Sequence, residues 1–146
     1  MEIPQMTDLT VNVSKIIHAP IEKVFDAWLS PKMLSLFMMP VPGMAKSDVI
    51  NDAREGGEFT IIMHVGDEDL PHKGKYLEIK RPDKLVFTWV SHCSVDNSVV
   101  TIKFSKLDDN KTKILLSHVK FIDEKVRSDH EGGWGNILNK LSDVMS

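Results

Sequence analysis

The sequence predicts a single α+β domain. It contains a curved antiparallel sheet of about six to seven strands, two short helices after the first strand, and a long carboxy-terminal helix packed over the sheet. Three observations predict it. Apolar and polar residues alternate over Thr10–Ile17, which indicates an opening strand. Turn residues recur regularly between Ser47 and Val119, which is typical of consecutive hairpins. Large apolar residues then recur at helical spacing on one face: Trp134, Ile137, Leu138, Leu141 and Met145.

The residues at their amino-terminal ends predict the two short helices. Pro20 precedes a run of apolar residues at helical spacing that reaches Trp28. Ser30-Pro31 combines a capping hydroxyl with a proline suited to a first helical turn, and it predicts a second helix to about Phe37.

The long helix is predicted to open at Asp129, after a strand over Thr112–Val119 and a turn-prone acidic stretch. Its apolar face needs a surface to cover it, and the concave side of the sheet is the only large candidate. A helix held by a curved sheet can enclose an apolar pocket.

Because successive side chains of a strand point to opposite faces of the sheet, every second residue is predicted to face this helix. A shift of one residue in a strand would turn its whole set to the other face. The inward sets are Phe59, Ile61 and Met63; Phe87 and Trp89; Val100, Ile102 and Phe104; and Ile114, Leu116 and His118.

Composition limits the function. The chain of 146 residues is 42% hydrophobic and 27% charged, with a net charge of −3, so one domain over residues 1–146 is expected. Nothing in this charge favours nucleic acid or anionic membranes. The lone Cys93 cannot form an internal disulfide and suits a reducing cytoplasm. Met1–Pro4 do not resemble a signal peptide, and no apolar run approaches the ~18 residues of a spanning helix.

Motifs for metals, cofactors and nucleophiles are missing from the sequence. The six histidines have no metal-site spacing, and one cysteine cannot build a thiolate site. The Glu55-Gly56-Gly57 turn is too short for a phosphate loop, and Cys93 beside His92 is expected to point to the opposite face of a strand. We therefore predict no cofactor, no metal and no catalytic residue.

Four segments resemble a known family: Ala19 to Trp28; Asp52 to Phe59, an acidic-x-Arg-x-Gly-Gly-x-aromatic turn; Gly74 to Ile79 with Pro82 to Trp89; and Thr112 to His118 with His130 to Leu141. They are similar to the helix-grip superfamily of START domains, birch-pollen allergen and polyketide cyclases (SRPBCC), and within it to the activators of heat-shock-protein-90 ATPase. The resemblance implies a helix-grip fold. In that family, the co-chaperones from which it takes its name carry a further amino-terminal domain. Only about ten residues precede the first strand here, which argues against that role.

The candidate ligand-binding residues are the aromatic, methionine and aliphatic side chains assigned to the interior: Trp28, Phe37, Met38, Phe59, Ile61, Met63, Tyr76, Phe87, Trp89, Ile102, Phe104, His118, Trp134 and Leu138. The alternative for most of them is a packed core. Polar candidates inside are His118, Tyr76, Thr88 and Arg54. His118 is interpreted either as a structural hydrogen-bonding group that orients the last helix or as a ligand contact or acid/base. Asp52 and Arg54 are interpreted as an ion pair that fixes their turn.

The expected function is binding of a small hydrophobic or amphipathic molecule in a cavity of a few hundred Å3 between the last helix, the Met33–Met44 segment and the sheet. One alternative is a cyclase- or hydrolase-type enzyme that uses His118 with Asp26 or Glu78. Another is a protein-interaction module related to the chaperone activators. A homodimer and a chaperone partner stay open.

Overall fold

The computed structural model describes residues 9–91, 98–121 and 123–145. Residues 1–8, His92 with Cys93, and the turn expected at Ser94–Asn97 lie outside the described residues. The strands are β1 (Leu9–Ile17), β2 (Asp48–Asn51), β3 (Glu58–Val65), β4 (Glu68–Lys80), β5 (Lys84–Thr88), β6 (Val99–Asp108) and β7 (Lys111–Phe121). The helices are α1 (Ile21–Ala27), α2 (Pro31–Phe37) and α3 (Glu124–Met145).

The strands form one antiparallel sheet in the order β1-β7-β6-β5-β4-β3-β2. The hairpins from β2 to β7 follow one another, while β1 joins the far edge beside β7. Register shifts interrupt β4 between Tyr76 and Glu78 and β6 between Lys106 and Asp108. Such irregularities bend strands. The architecture is the helix-grip arrangement that the sequence predicts.

One side of the sheet carries the core. Every strand residue that alternation assigned to the inward face is buried. Trp134, Ile137, Leu138 and Leu141 form the buried face of α3, which packs against β1, β7 and α2. Burial of a large apolar side chain contributes about 1.5–3 kcal/mol, so this layer holds the helix on the sheet.

The second short helix, α2, has the predicted bounds because its start is fixed locally. The Ser30 hydroxyl accepts a hydrogen bond from the Met33 backbone N–H at 3.2 Å, and Pro31 is the first residue of α2. Trp28 is the C-cap of α1, not a residue within it.

The start of α3 differs from the prediction. The helix begins at Glu124 instead of Asp129, so the acidic stretch forms its first turn. The Asp123 carboxylate accepts a hydrogen bond from the Val126 N–H at 2.9 Å and caps it. Arg127 pairs with Glu124 at 2.7 Å on the same turn. None of the described helices is both long and apolar enough to cross a membrane.

The turn from Asp52 to Gly57 needs both its glycines, for different reasons. Gly56 has φ of 84°, which favours glycine. Gly57 does not have a positive φ, but a Cβ there would lie 2.1 Å from the Asp52 carbonyl oxygen. The Arg54 Nε donates to the Asp52 carboxylate at 2.7 Å on the exposed side of the turn. The pair is therefore a surface contact that braces the turn.

Gly57→Ala is expected to lower the free energy of unfolding by about 1–3 kcal/mol, because the new methyl group would collide with rigid backbone. Gly132→Ala is the matched control. A Cβ at this α3 position meets nothing, and alanine favours a helix over glycine by up to about 1 kcal/mol. Urea denaturation of both variants should show shifts of opposite sign. A Gly57→Ala variant as stable as the original chain would contradict the assignment.

Candidate ligand-binding site

A cavity of about 260 Å3 lies between the first half of α3, the loop after α2, and the β3–β4 hairpin. Asn136 donates a hydrogen bond to the Pro40 carbonyl at 2.8 Å and ties the loop to the helix. Most of the wall is apolar, and three polar side chains also line it. The lining residues are Pro40, Val41, Met63, Val65, Leu70, His72, Trp89, Asp129, His130, Gly133, Trp134 and Ile137. The volume falls just below the range typical of small-molecule sites.

Behind this cavity the interior is nearly filled. Between the short helices and the sheet lies a void of about 10 Å3, lined by Trp28, Leu34, Met38, Phe59, Ile61, Tyr76, Phe87 and Trp89. Aromatic rings close this region, with Phe59 and Phe87 centroids 5.4 Å apart and Phe59 and Tyr76 centroids 5.3 Å apart. The open space on the concave side of the sheet is therefore concentrated beside α3.

The sequence-predicted site residues divide into three groups. Met63, Trp89 and Trp134 line the cavity. Trp28, Met38, Phe59, Ile61, Tyr76 and Phe87 surround the void, which Trp89 also lines. Phe37, Ile102, Phe104, His118 and Leu138 are buried and line neither space.

Two of the polar candidates lie elsewhere. The Thr88 hydroxyl accepts a hydrogen bond from the Lys75 N–H at 2.9 Å, between the inward-facing Phe87 and Trp89. The Arg54 side chain is 72% exposed on its turn. The interior interpretation of Thr88 and Arg54 was therefore wrong, because strand alternation and the Asp52 pair direct both side chains outward.

His118 is fully buried and both its ring nitrogens are engaged. The Trp134 indole donates to Nδ1 at 3.0 Å, and Nε2 lies 2.7 Å from the Ser98 hydroxyl. An indole N–H can only donate, so Nδ1 is the unprotonated nitrogen and Nε2–H donates to Ser98. Burial, helped by the nearby His130, lowers the pKa of His118 to about 3. The ring is thus a neutral bridge between β7 and α3.

The carboxylates considered as partners for His118 are paired elsewhere. Asp26 forms an ion pair with Arg81, and Glu78 lies 3.4 Å from the Lys84 ammonium. Burial raises the pKa of Tyr76, whose hydroxyl accepts a hydrogen bond from Asn51 at 3.1 Å. Tyr76 is therefore a neutral phenol near neutral pH.

The cavity's own polar groups are His72, Asp129 and His130. The His130 ring lies one helical turn before Trp134, and its Nδ1–H donates to the Val126 carbonyl at 2.9 Å. His72 lies against Trp89 with ring centroids 5.1 Å apart and the ring planes tilted by 37°, and it directs Nδ1–H to the Leu70 carbonyl at 2.9 Å. Asp129 pairs with Lys125 at 3.1 Å at the exposed rim. Within residues 9–91, 98–121 and 123–145, no three metal-binding side chains come together.

The sequence prediction missed most of the residues that line the cavity, although the periodicity of the strands and of α3 indicates several of them. Extending the β3 alternation from Met63 gives Val65, and the same period on β4 gives Leu70 and His72. On α3, His130, Gly133, Trp134 and Ile137 follow the helical spacing i, i+3, i+4, i+7.

Comparisons place the chain among known folds. A family model described as "Activator of Hsp90 ATPase homolog 1-like protein" matches residues 18–146. Protein CV1439 from Chromobacterium violaceum is 21% identical over 94% of this chain and 97% of that one, with a TM-score of 0.77. PFC0360w, an HSP90 activator from Plasmodium falciparum, is 23% identical over 93% and 95%, with a TM-score of 0.72. CalU16 from Micromonospora echinospora is 23% identical over 94% and 76%, with a TM-score of 0.73. A search of curated proteins gives no match.

Proposed function

The chain belongs to the family of activator of Hsp90 ATPase homolog 1-like proteins, and from this premise we propose that it binds a small hydrophobic or amphipathic molecule in the cavity beside α3. The observation that carries the proposal is the cavity itself, about 260 Å3 with a mainly apolar wall. Removing apolar ligand surface from water supplies roughly 25 cal/mol per Å2, which suffices for useful affinity in a preformed site.

The polar groups suit an amphipathic ligand. Because His130 uses its Nδ1–H on the Val126 carbonyl, its Nε2 is a hydrogen-bond acceptor in the neutral ring and a donor in the protonated ring. Asp129 and His130 lie on the α3 side of the cavity, while Met63 and Trp89 form apolar wall. A ligand with an apolar body and one polar end matches this distribution.

A cavity-filling pair of variants tests the site. Val65 lines the cavity, whereas Ile62 lies on the opposite face of β3. Val65→Phe is expected to weaken binding of anilinonaphthalene sulfonate at least about tenfold, because the ring would occupy ligand space, while Ile62→Phe should leave the affinity near that of the original chain.

Fluorescence titration of the three proteins measures this, with melting temperatures as the check on folding. Equal affinities for Val65→Phe and Ile62→Phe would remove the cavity from the binding function. Native mass spectrometry of protein purified from its own host would then show whether a natural small molecule is retained.

A second candidate is contact with the chaperone HSP90. The family match and the likeness to the Plasmodium falciparum activator favour it. Several apolar side chains, such as Ile16, Leu115 and Ile50, are also exposed on the outside of the sheet. The ATPase rate of purified HSP90 with and without this protein decides it, since a binder of small molecules alone leaves that rate unchanged.

The enzyme alternative finds less support in this geometry. A general base needs an available lone pair near the substrate, and His118 has committed both nitrogens to Ser98 and Trp134. An acid/base role would have to fall on the titratable groups that border the cavity directly, which are His72, Asp129 and His130.

A further inference from the structure

Two buried indole N–H groups are left without a hydrogen-bond partner. These are Nε1 of Trp28 and Nε1 of Trp89, and neither finds a partner among the described residues. Each side chain is only 2% exposed. An unpaired buried donor costs about 1–3 kcal/mol, and the great majority of buried polar groups are paired. The indole of Trp134, by contrast, donates to His118. The two indole N–H groups are therefore available to an acceptor that is not a protein group of the described residues.

Both unpaired indoles line the same void. Its volume of about 10 Å3 accepts a single oxygen-sized group. Tyr76 lines the void as well, and its hydroxyl keeps one proton after accepting from Asn51. Three side chains able to donate thus surround a space suited to one acceptor atom.

The void and the cavity are neighbours on either side of Trp89, which lines both. The inward residue Ile61 of β3 borders the void, and the next inward residue, Met63, borders the cavity. The segment after α2 repeats this order, with Met38 at the void and Pro40 at the cavity. A ligand in the cavity therefore lies against Trp89, the residue that also borders the void.

We propose that the ligand carries a neutral carbonyl group at its inner end and that its oxygen accepts hydrogen bonds from the indole N–H groups of Trp28 and Trp89. This inference rests on the proposed binding function and specifies the ligand's chemistry. Among the described residues no cationic side chain lines the void, so a carboxylate would lose its hydration without a counter-charge. A ketone, aldehyde or ester oxygen accepts the same bonds without that cost.

Three probes with one skeleton test the proposal: benzylacetone, which is the ketone; butylbenzene, which lacks the oxygen; and hydrocinnamate, the carboxylate. The chain has three tryptophans, so its nitrogen-15 spectrum contains three indole N–H signals. Benzylacetone should move the signals of Trp28 and Trp89 downfield. The Trp134 signal should keep the chemical shift of a hydrogen-bonded indole. Benzylacetone should also bind between about fivefold and about 150-fold more tightly than butylbenzene, the range of two ordinary hydrogen bonds.

Trp28→Phe and Trp89→Phe separate hydrogen bonding from packing. Each keeps an aromatic ring and removes one donor, so each should reduce the ratio of butylbenzene to benzylacetone dissociation constants towards one. A general change in cavity shape would weaken both probes alike and leave this ratio unchanged. The melting temperature verifies the fold.

The outcomes distinguish this inference from the proposed function. Equal binding of ketone and hydrocarbon with unmoved indole signals overturns the carbonyl assignment and leaves the binding function standing. Tighter binding of hydrocinnamate overturns it too. Indole signals that are already hydrogen-bonded in the free protein, and do not move, would mean that a permanent water satisfies the donors, which also overturns it. Binding of no probe at all contradicts the proposed function together with the inference.

Discussion

Replacement of Trp134 by alanine should lower the free energy of unfolding by about 3–5 kcal/mol. The indole is 2% exposed and packs against Trp89 with ring centroids 5.0 Å apart. It also supplies the only donor seen for Nδ1 of His118 within the described residues. Glycines flank it at positions 133 and 135, so this part of α3 depends on packing more than on helix propensity.

Two controls separate the contributions of Trp134. Trp134→Phe keeps an aromatic ring but leaves His118 without its donor, and we expect a loss of about 1–3 kcal/mol. Lys140→Ala changes an exposed residue of the same helix and should stay within about 0.5 kcal/mol of the original chain. Urea denaturation measures all three variants. A midpoint for Trp134→Ala that matches Lys140→Ala would show that α3 is not anchored by this indole.

Acid should destabilise the protein through His118. Its pKa falls from 6.5 to about 3 because burial disfavours the charged ring. Below pH 6.5 the unfolded chain binds a proton here that the native state does not bind. The free energy of unfolding therefore falls by about 1.4 kcal/mol for each pH unit between about 6.5 and 3, and the full contribution is present above pH 6.5.

His118→Gln isolates this effect. Glutamine can accept from Trp134 and donate to Ser98, but it does not titrate. The difference in urea stability between the two proteins should shrink or reverse as the pH falls from 6.5 towards 3, because only the histidine protein loses this term. Parallel stability curves over this range would show that His118 protonates without cost in the native state.

The fold could be predicted because several independent features of the sequence indicate the same arrangement of strands and helices. Alternation on β3, β6 and β7 assigned the inward faces, and Ser30-Pro31 fixed the start of α2. The start of α3 was misjudged because Asp123 and Glu124 look like turn residues until their capping and pairing partners are known.

The site was harder to predict than the fold. Alternation shows that Phe59 and Met63 face inward, but it does not show that one closes against aromatic neighbours while the other borders open space. That difference depends on the packing of rings from separate strands, such as Phe59, Phe87 and Trp89. The bridge from Ser98 through His118 to Trp134 likewise joins residues that only the folded chain brings together.

The place of β1 beside β7 has a consequence for the order of folding. Leu9 pairs with Phe121, so the first strand of this sheet gains its neighbour only after six later strands have been synthesised. The β2–β7 hairpins close over short separations, whereas β1 must wait for a contact across roughly a hundred residues. Long-range pairing slows folding, because the entropy of closing the loop is lost before the contact forms. During synthesis the apolar side chains of β1, among them Val11 and Ile17, have no sheet to cover them, and this strand is the segment that a chaperone would have to shield.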